Sequence, residues 1–114
     1  MLSLHQLRCF ATAYEHRSFT AAAQELGYAQ PSLSEQIRLL ERAVGAPLFT
    51  RAGRGVLPTE AAHALLPHAQ RTLAAAAEAR AAVASVAALE TGTVRFGIFG
   101  TARLYMGAAR AGRR

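Results

Sequence analysis

The chain has a single cysteine, Cys9, and contains neither aspartate nor lysine. One thiol excludes an internal disulfide and any zinc site built on several cysteines. Without aspartate no Ser-His-Asp arrangement can be assembled. Gly97 and Gly100 do not make the G-x-G-x-x-G spacing that opens a dinucleotide-binding helix. The histidines, His5, His16, His63 and His68, are scattered. His63 and His68 do not share a helical face, and no carboxylate is placed with them, so no metal site is expected. An enzyme therefore ranks behind every other class, and no cofactor is expected. There is no run of about 18 large apolar residues, which excludes a transmembrane span on that criterion. The N-terminus, MLSLHQLRCF, carries a polar or charged residue every few positions. No apolar core follows a basic start, which argues against a secretory signal and makes the cytoplasm the default compartment.

What is present suits one domain, or one small domain with an appendage: 114 residues, 52% hydrophobic and 18% charged. Alanine supplies 27 of them. The core must therefore come from Leu, Ile, Val, Phe and Tyr. Net charge is +6, and every basic residue is arginine. The excess is unevenly placed. Residues 1–57 hold six Arg and four Glu, residues 58–90 two Arg and three Glu, and residues 91–114 five Arg and no acid. Basicity alone thus says little about the N-terminal part. Any case for an anionic partner there must rest on geometry.

Residues 3–16 read as a helix that opens on a Ser3/Gln6 capping box, with Leu4, Leu7, Phe10, Ala11 and Tyr14 on one face. Cys9 falls near that face as a buried thiol. A short helix follows, capped by Ser18, with Phe19, Ala22, Ala23 and Leu26 apolar and Gly27 at its end. After the tight connection Gly27-Tyr28-Ala29, a third helix opens at Gln30-Pro31. It buries Leu33, Ile37, Leu40 and Val44, and stops at Gly45. Leu48-Phe49-Thr50 and Val56-Leu57 read as strands around the hairpin tip Arg51-Ala52-Gly53-Arg54-Gly55. Thr59 caps a long helix that could reach residue 90, roughly 48 Å, with an interruption and kink expected at Pro67. Half of residues 61–88 are alanine, which favours helix. Thr93 to Phe99 looks like a strand, and the tail from Ala102 has too few large apolar residues to fold alone.

Two short helices joined by a tight glycine turn make a helix-turn-helix. At 100° per residue, burying Leu33, Ile37, Leu40 and Val44 leaves Pro31, Ser34, Glu35, Arg38 and Arg42 on the opposite half of the third helix. Gln30, Pro31, Ser34, Glu35 and Arg38 stand at the N-terminal end, the end by which recognition helices reach base edges. Gln pairs with adenine, Arg with guanine, Glu with the cytosine amine, and Pro31 can touch a thymine methyl. Ser18 and Ser32, read as caps, and Thr20 offer hydroxyls to phosphates. A solvated helix face would carry the same residue types. The glycine-flanked arginine hairpin that follows tips the balance, because such a wing can put Arg54 into a minor groove.

The segments Leu4 to Phe10, Ser18 to Leu26, Ala29 to Glu41, Val44 to Arg51 and Leu57 to Ala61 resemble LysR-type transcriptional regulators, densely over residues 2–62 and more loosely to about residue 100. The resemblance implies a mainly α fold: a winged helix-turn-helix with a two-strand wing over residues 1–59, then a linker and dimerisation helix over 60–90. It also implies base contacts from Gln30, Pro31, Ser34 and Glu35, and wing contacts from Arg51 and Arg54. Position 35 is often basic in that family and is glutamate here, so base preference there does not carry over. Residues 91–114 look like the first strand of an effector domain plus a basic tail, where the family continues into a ligand-binding domain. No small-molecule effector site is therefore expected in this chain.

The long helix carries a heptad-like seam of Leu66, Ala69, Leu73, Ala76, Val83 and Ala87, with Arg80 at the skipped position. Leu66, Leu73 and Val83 are the expected dimer contacts, against the alternative of a helix folded back on its own domain. The expected function is sequence-specific binding of double-stranded DNA by a homodimer for transcription control. The alternative is a truncated subunit that pairs with a full-length relative through the linker helix.

Overall fold

The computed structural model describes residues 1–91. The order is α1 (Leu4–His16), α2 (Phe19–Leu26), α3 (Gln30–Val44), β1 (Phe49–Ala52), β2 (Gly55–Pro58) and α4 (Glu60–Thr91). It is a mainly α winged helix-turn-helix with a two-strand wing and a long following helix. The strand expected at 93–99 and the basic tail lie outside the described residues. The chain divides into two units, Met1–Ala74 and the part from Ala75 onward, of which α4 to Thr91 is described.

Local chemistry sets the boundaries. Ser3 Oγ accepts from Gln6 N at 3.1 Å while Gln6 Oε1 accepts from Ser3 N at 3.0 Å, satisfying two end donors of α1 reciprocally. Ser18 Oγ accepts from Ala21 N at 3.1 Å at the start of α2. Gly27 ends α2 at φ 76°, a left-handed conformation that costs a residue with a Cβ about 1–2 kcal/mol. That reversal allows α3 to begin three residues later. Thr59 Oγ1 accepts from Ala62 N and donates to Pro47 O at 2.7 Å, so one hydroxyl starts α4 and ties it to the approach to the wing.

The core of the N-terminal unit has two connected halves. Leu7 and Phe10 of α1 meet Leu40, Leu48, Ala62 and Ala69. Cys9 and Ala13, on another side of α1, meet Ala22, Ala23, Leu33 and Ile37. Phe49 packs against both halves, with its ring centroid 5.7 Å from Phe10 and 5.4 Å from Phe19. Phe10, Leu33, Leu40 and Leu48 have no exposed surface. Removing each from water contributes about 1.5–3 kcal/mol. Thr12 is the buried polar residue of α1, and it satisfies its hydroxyl by donating to Arg8 O at 2.9 Å.

Several expectations need correction. Leu4 and Val44, expected on the buried faces of α1 and α3, are exposed at the helix ends, each in a terminal turn. The hairpin tip narrows to Gly53-Arg54, since Arg51, Ala52 and Gly55 belong to the paired strands, with Ala52 opposite Gly55. Leu48 lies outside the strand and inside the core. Helix α4 continues through Pro67. A proline at that point removes one hydrogen bond, and the alanine-rich turns on either side carry the helix on. By length and composition alone α4 would also pass as a membrane span, which the count of large apolar residues had excluded. Its apolarity is mostly alanine.

Candidate nucleic-acid interface

The candidate face is built on α3. Leu33, Ile37 and Leu40 are buried. Pro31, Glu35, Arg38 and Arg42 are exposed and fall on the opposite side of a 100° wheel. Gln30 and Ser34 flank the buried stripe and are half-buried. Gln30 Nε2 donates to Ser34 Oγ at 2.7 Å, so these two side chains are already paired. Arg38 is paired as well: its Nε donates to Glu35 Oε1 at 3.1 Å and its Nη2 to Glu35 Oε2 at 2.6 Å. The hydrogen bond from Arg38 holds the Glu35 carboxyl below the usual carboxylate range, with the charges of Arg38 and Arg42 adding to it, against a smaller opposing effect of desolvation. The structure thus brings together all five residues expected to face the bases, and it links four of them in two couples.

The backbone-contact candidates divide differently. Thr20 and Ser32 are exposed. Ser18 spends its hydroxyl on the α2 cap. Ser32 is not a cap: the N-cap of α3 is Ala29, which has no side chain to donate or accept, and Ser32 stands within the first turn. Arg51 and Arg54 are both exposed on the wing.

The wing is anchored by backbone. Val56 N donates to Arg17 O at 3.0 Å, just after α1. A Cβ built on Gly55 would stand 2.3 Å from that same carbonyl oxygen. Only glycine allows the approach. Arg17 itself adopts φ 55°, and its guanidinium lies 5.1 Å from the centroid of the Tyr14 ring while its Nε donates to Tyr14 O at 2.9 Å. On the other side Glu41 Oε2 accepts from Leu48 N at 2.8 Å, joining the last turns of α3 to the wing. Sequence reasoning missed Arg17, Glu41 and the close approach at Gly55. Each acts on a partner across a turn or on another element, which leaves no periodic trace.

Leu66 and Leu73 are half-buried against the domain's own core, and Ala69 is buried in it. The first half of the seam thus packs inward, as the fold-back alternative required. Val83 is 69% exposed, and Val86 and Leu89, which the seam did not include, are 54% and 56% exposed. Glu15, His16 and Glu25 bring ligand-type atoms within 4.8 Å of one another, but all three are exposed and His16 Nε2 is already paired with Glu25.

The sequence profile described as "Bacterial regulatory helix-turn-helix protein, lysR family" matches residues 4–63, from the first residue of α1 to the first turn of α4. The chain belongs to the lysR family. It is 38% identical over 102 residues to the HTH-type transcriptional regulator CbbR of Rhodospirillum rubrum, covering 90% of this chain and 34% of that protein. Among solved structures it is similar to a CbnR_DBD–DNA complex, with TM-score 0.71, 32% identity, and coverage of 75% of this chain and 99% of that one. A BenM_DBD complex with catB site 1 DNA gives TM-score 0.71 and 35% identity over 75% of this chain and 97% of that one. The chain spans about a third of the length of the curated relatives it matches. Those lysR-family relatives are transcriptional regulators, not enzymes. The helix-turn-helix and wing described above are the parts that the family profile covers.

Proposed function

We propose that this chain binds double-stranded DNA and regulates transcription as a homodimer, with the N-terminal turns of α3 in the major groove and the Gly53-Arg54 turn at a neighbouring minor groove. The observation that carries this reading is the α3 face: Pro31, Glu35 and Arg38 are exposed opposite the buried Leu33–Ile37–Leu40 stripe, and the half-buried Gln30 and Ser34 border them at the N-terminal end. Support comes from the similarity to the two DNA complexes. Thr20, Ser32 and Arg51 are then the phosphate contacts, and Ser18 contributes by holding the N-terminus of α2 in place. A chromosomal partner puts the protein's work in the bacterial cytoplasm.

The dimer contact is assigned to Val83, Val86 and Leu89 of α4, whose exposure leaves apolar surface for a second copy. Leu66 and Leu73 support that helix from the domain side. Two recognition helices in such a dimer would address half-sites about 34–36 Å apart, or a multiple of that.

The test is selection of duplexes from a random library by the purified chain at two salt concentrations. Enrichment of an interrupted inverted repeat, with retention falling steeply as salt rises, is the expected result. Retention that depends on salt with no enriched sequence would overturn the base-reading role. Arg54→Ala should weaken binding to the selected site by about 1–3 kcal/mol. Undiminished affinity in that variant would remove the wing from the interface.

A further inference from the structure

Position 35 carries the one acidic side chain on the exposed ridge of α3, between Pro31 and Arg38. A lone carboxylate facing DNA would be repelled by phosphates. Here it is not alone. Both of its oxygens accept from Arg38, one from Nε at 3.1 Å and one from Nη2 at 2.6 Å, and each partner remains half exposed.

An exposed ion pair three residues apart on a helix contributes little to stability. Its geometry has another consequence. The bidentate contact uses the Nε–Nη2 side of the guanidinium. It leaves two parallel N–H donors on the Nη1–Nη2 end, the arrangement that pairs with guanine O6 and N7. A free arginine side chain would have to be ordered from many rotamers to present that end, at an entropy cost. Glu35 orders it in advance. Each Glu35 oxygen also keeps a lone pair, which suits the N4 amine of a cytosine.

We propose that Glu35 is a specificity-determining residue that acts through Arg38, the pair forming one reading unit for a guanine with a cytosine beside it. This rests on the DNA-binding reading above and assigns the base that one part of α3 selects.

The test repeats the duplex selection with the unsubstituted chain and with Arg38→Ala, Glu35→Ala and Glu35→Gln. All three changes are on an exposed helix face, and circular dichroism checks that the helix content is kept. Arg38→Ala should erase one guanine preference in each half-site. Glu35→Ala should weaken that same preference about two- to fivefold although Arg38 is retained, the size of effect an exposed ion pair can supply. It should also lose the adjacent cytosine. Glu35→Gln keeps one acceptor oxygen for the guanidinium and should retain part of the guanine preference. An unchanged guanine column in Glu35→Ala, with tighter binding to all sequences, would mean that Glu35 is merely a repelling charge and would overturn the proposal alone. No enriched sequence with the unsubstituted chain would take down the DNA-reading function and this proposal together.

Discussion

Cys9 has no exposed surface and stands among Ala13, Ala22, Ala23, Leu33 and Ile37, with Sγ 4.0 Å from His5 Nε2. Burial pushes its thiol pKa up, against a smaller lowering by Arg8. A thiol held neutral and covered is inert. Cys9 should resist alkylation in the native chain at neutral pH and react at once in denaturant; rapid native labelling, followed by mass spectrometry, would contradict this. The raised pKa also has a sign in stability. The neutral thiol costs nothing below its unfolded pKa. As pH rises past that value the unfolded chain ionises first, so stability falls on the alkaline side. Thermal melts of Cys9→Ala should lose that alkaline component. The position of Cys9 near the α1 face was legible from spacing. The bidentate contact of Glu35 with Arg38 was not read from the sequence, because it depends on how the two side chains are turned.

At the scale of elements, the wing shows how a short hairpin is held in place. Gly53 and Gly55 both read as turn residues, and only the first has a positive φ. Gly55 is required for a different reason, its contact with the Arg17 carbonyl oxygen. Gly55→Ala should force the wing off α1 and destabilise the domain by about 1–3 kcal/mol, the range for an inserted methyl group in a packed site. Chemical denaturation checks the stability loss, and binding to the selected duplex should weaken with it. An unchanged midpoint would show that the wing moves freely. Helices α1 to α3 were readable almost to the residue, because capping serines, Pro31 and the closing glycines act within one turn of chain. The wing's register and its anchors were not, because Arg17 meets Val56 and Glu41 meets Leu48 only on folding.

For the whole molecule, α4 is the element whose role divides. Its first half contributes Ala62 and Ala69 to the core, with Leu65, Leu66 and Leu73 packed on it. Its remaining turns carry exposed Val83, Val86 and Leu89, along with Glu78 and Arg80. Most of the residues in these turns are alanine, and a membrane span needs about 20 predominantly apolar residues with few or no charges. Val83→Arg should convert a dimer to monomers in sedimentation equilibrium without lowering the melting point of the N-terminal domain. A dimer that persists would move the interface elsewhere. Leu73→Arg is a poorer probe, since Leu73 also packs against its own domain.

Helix type, helix ends, the hairpin and the exposed ridge of α3 follow from the sequence alone, because capping, glycine conformation and the 3.6-residue period are local interactions. Tertiary packing decided the rest. It chose which half of the alanine-rich seam turns inward, since alanine is nearly neutral between core and surface and the choice falls to the neighbours. It also joined Glu41 to Leu48, seven residues on, and Tyr14 to His63, 49 residues on. No local period reaches that far, so those contacts form only when the chain closes on itself.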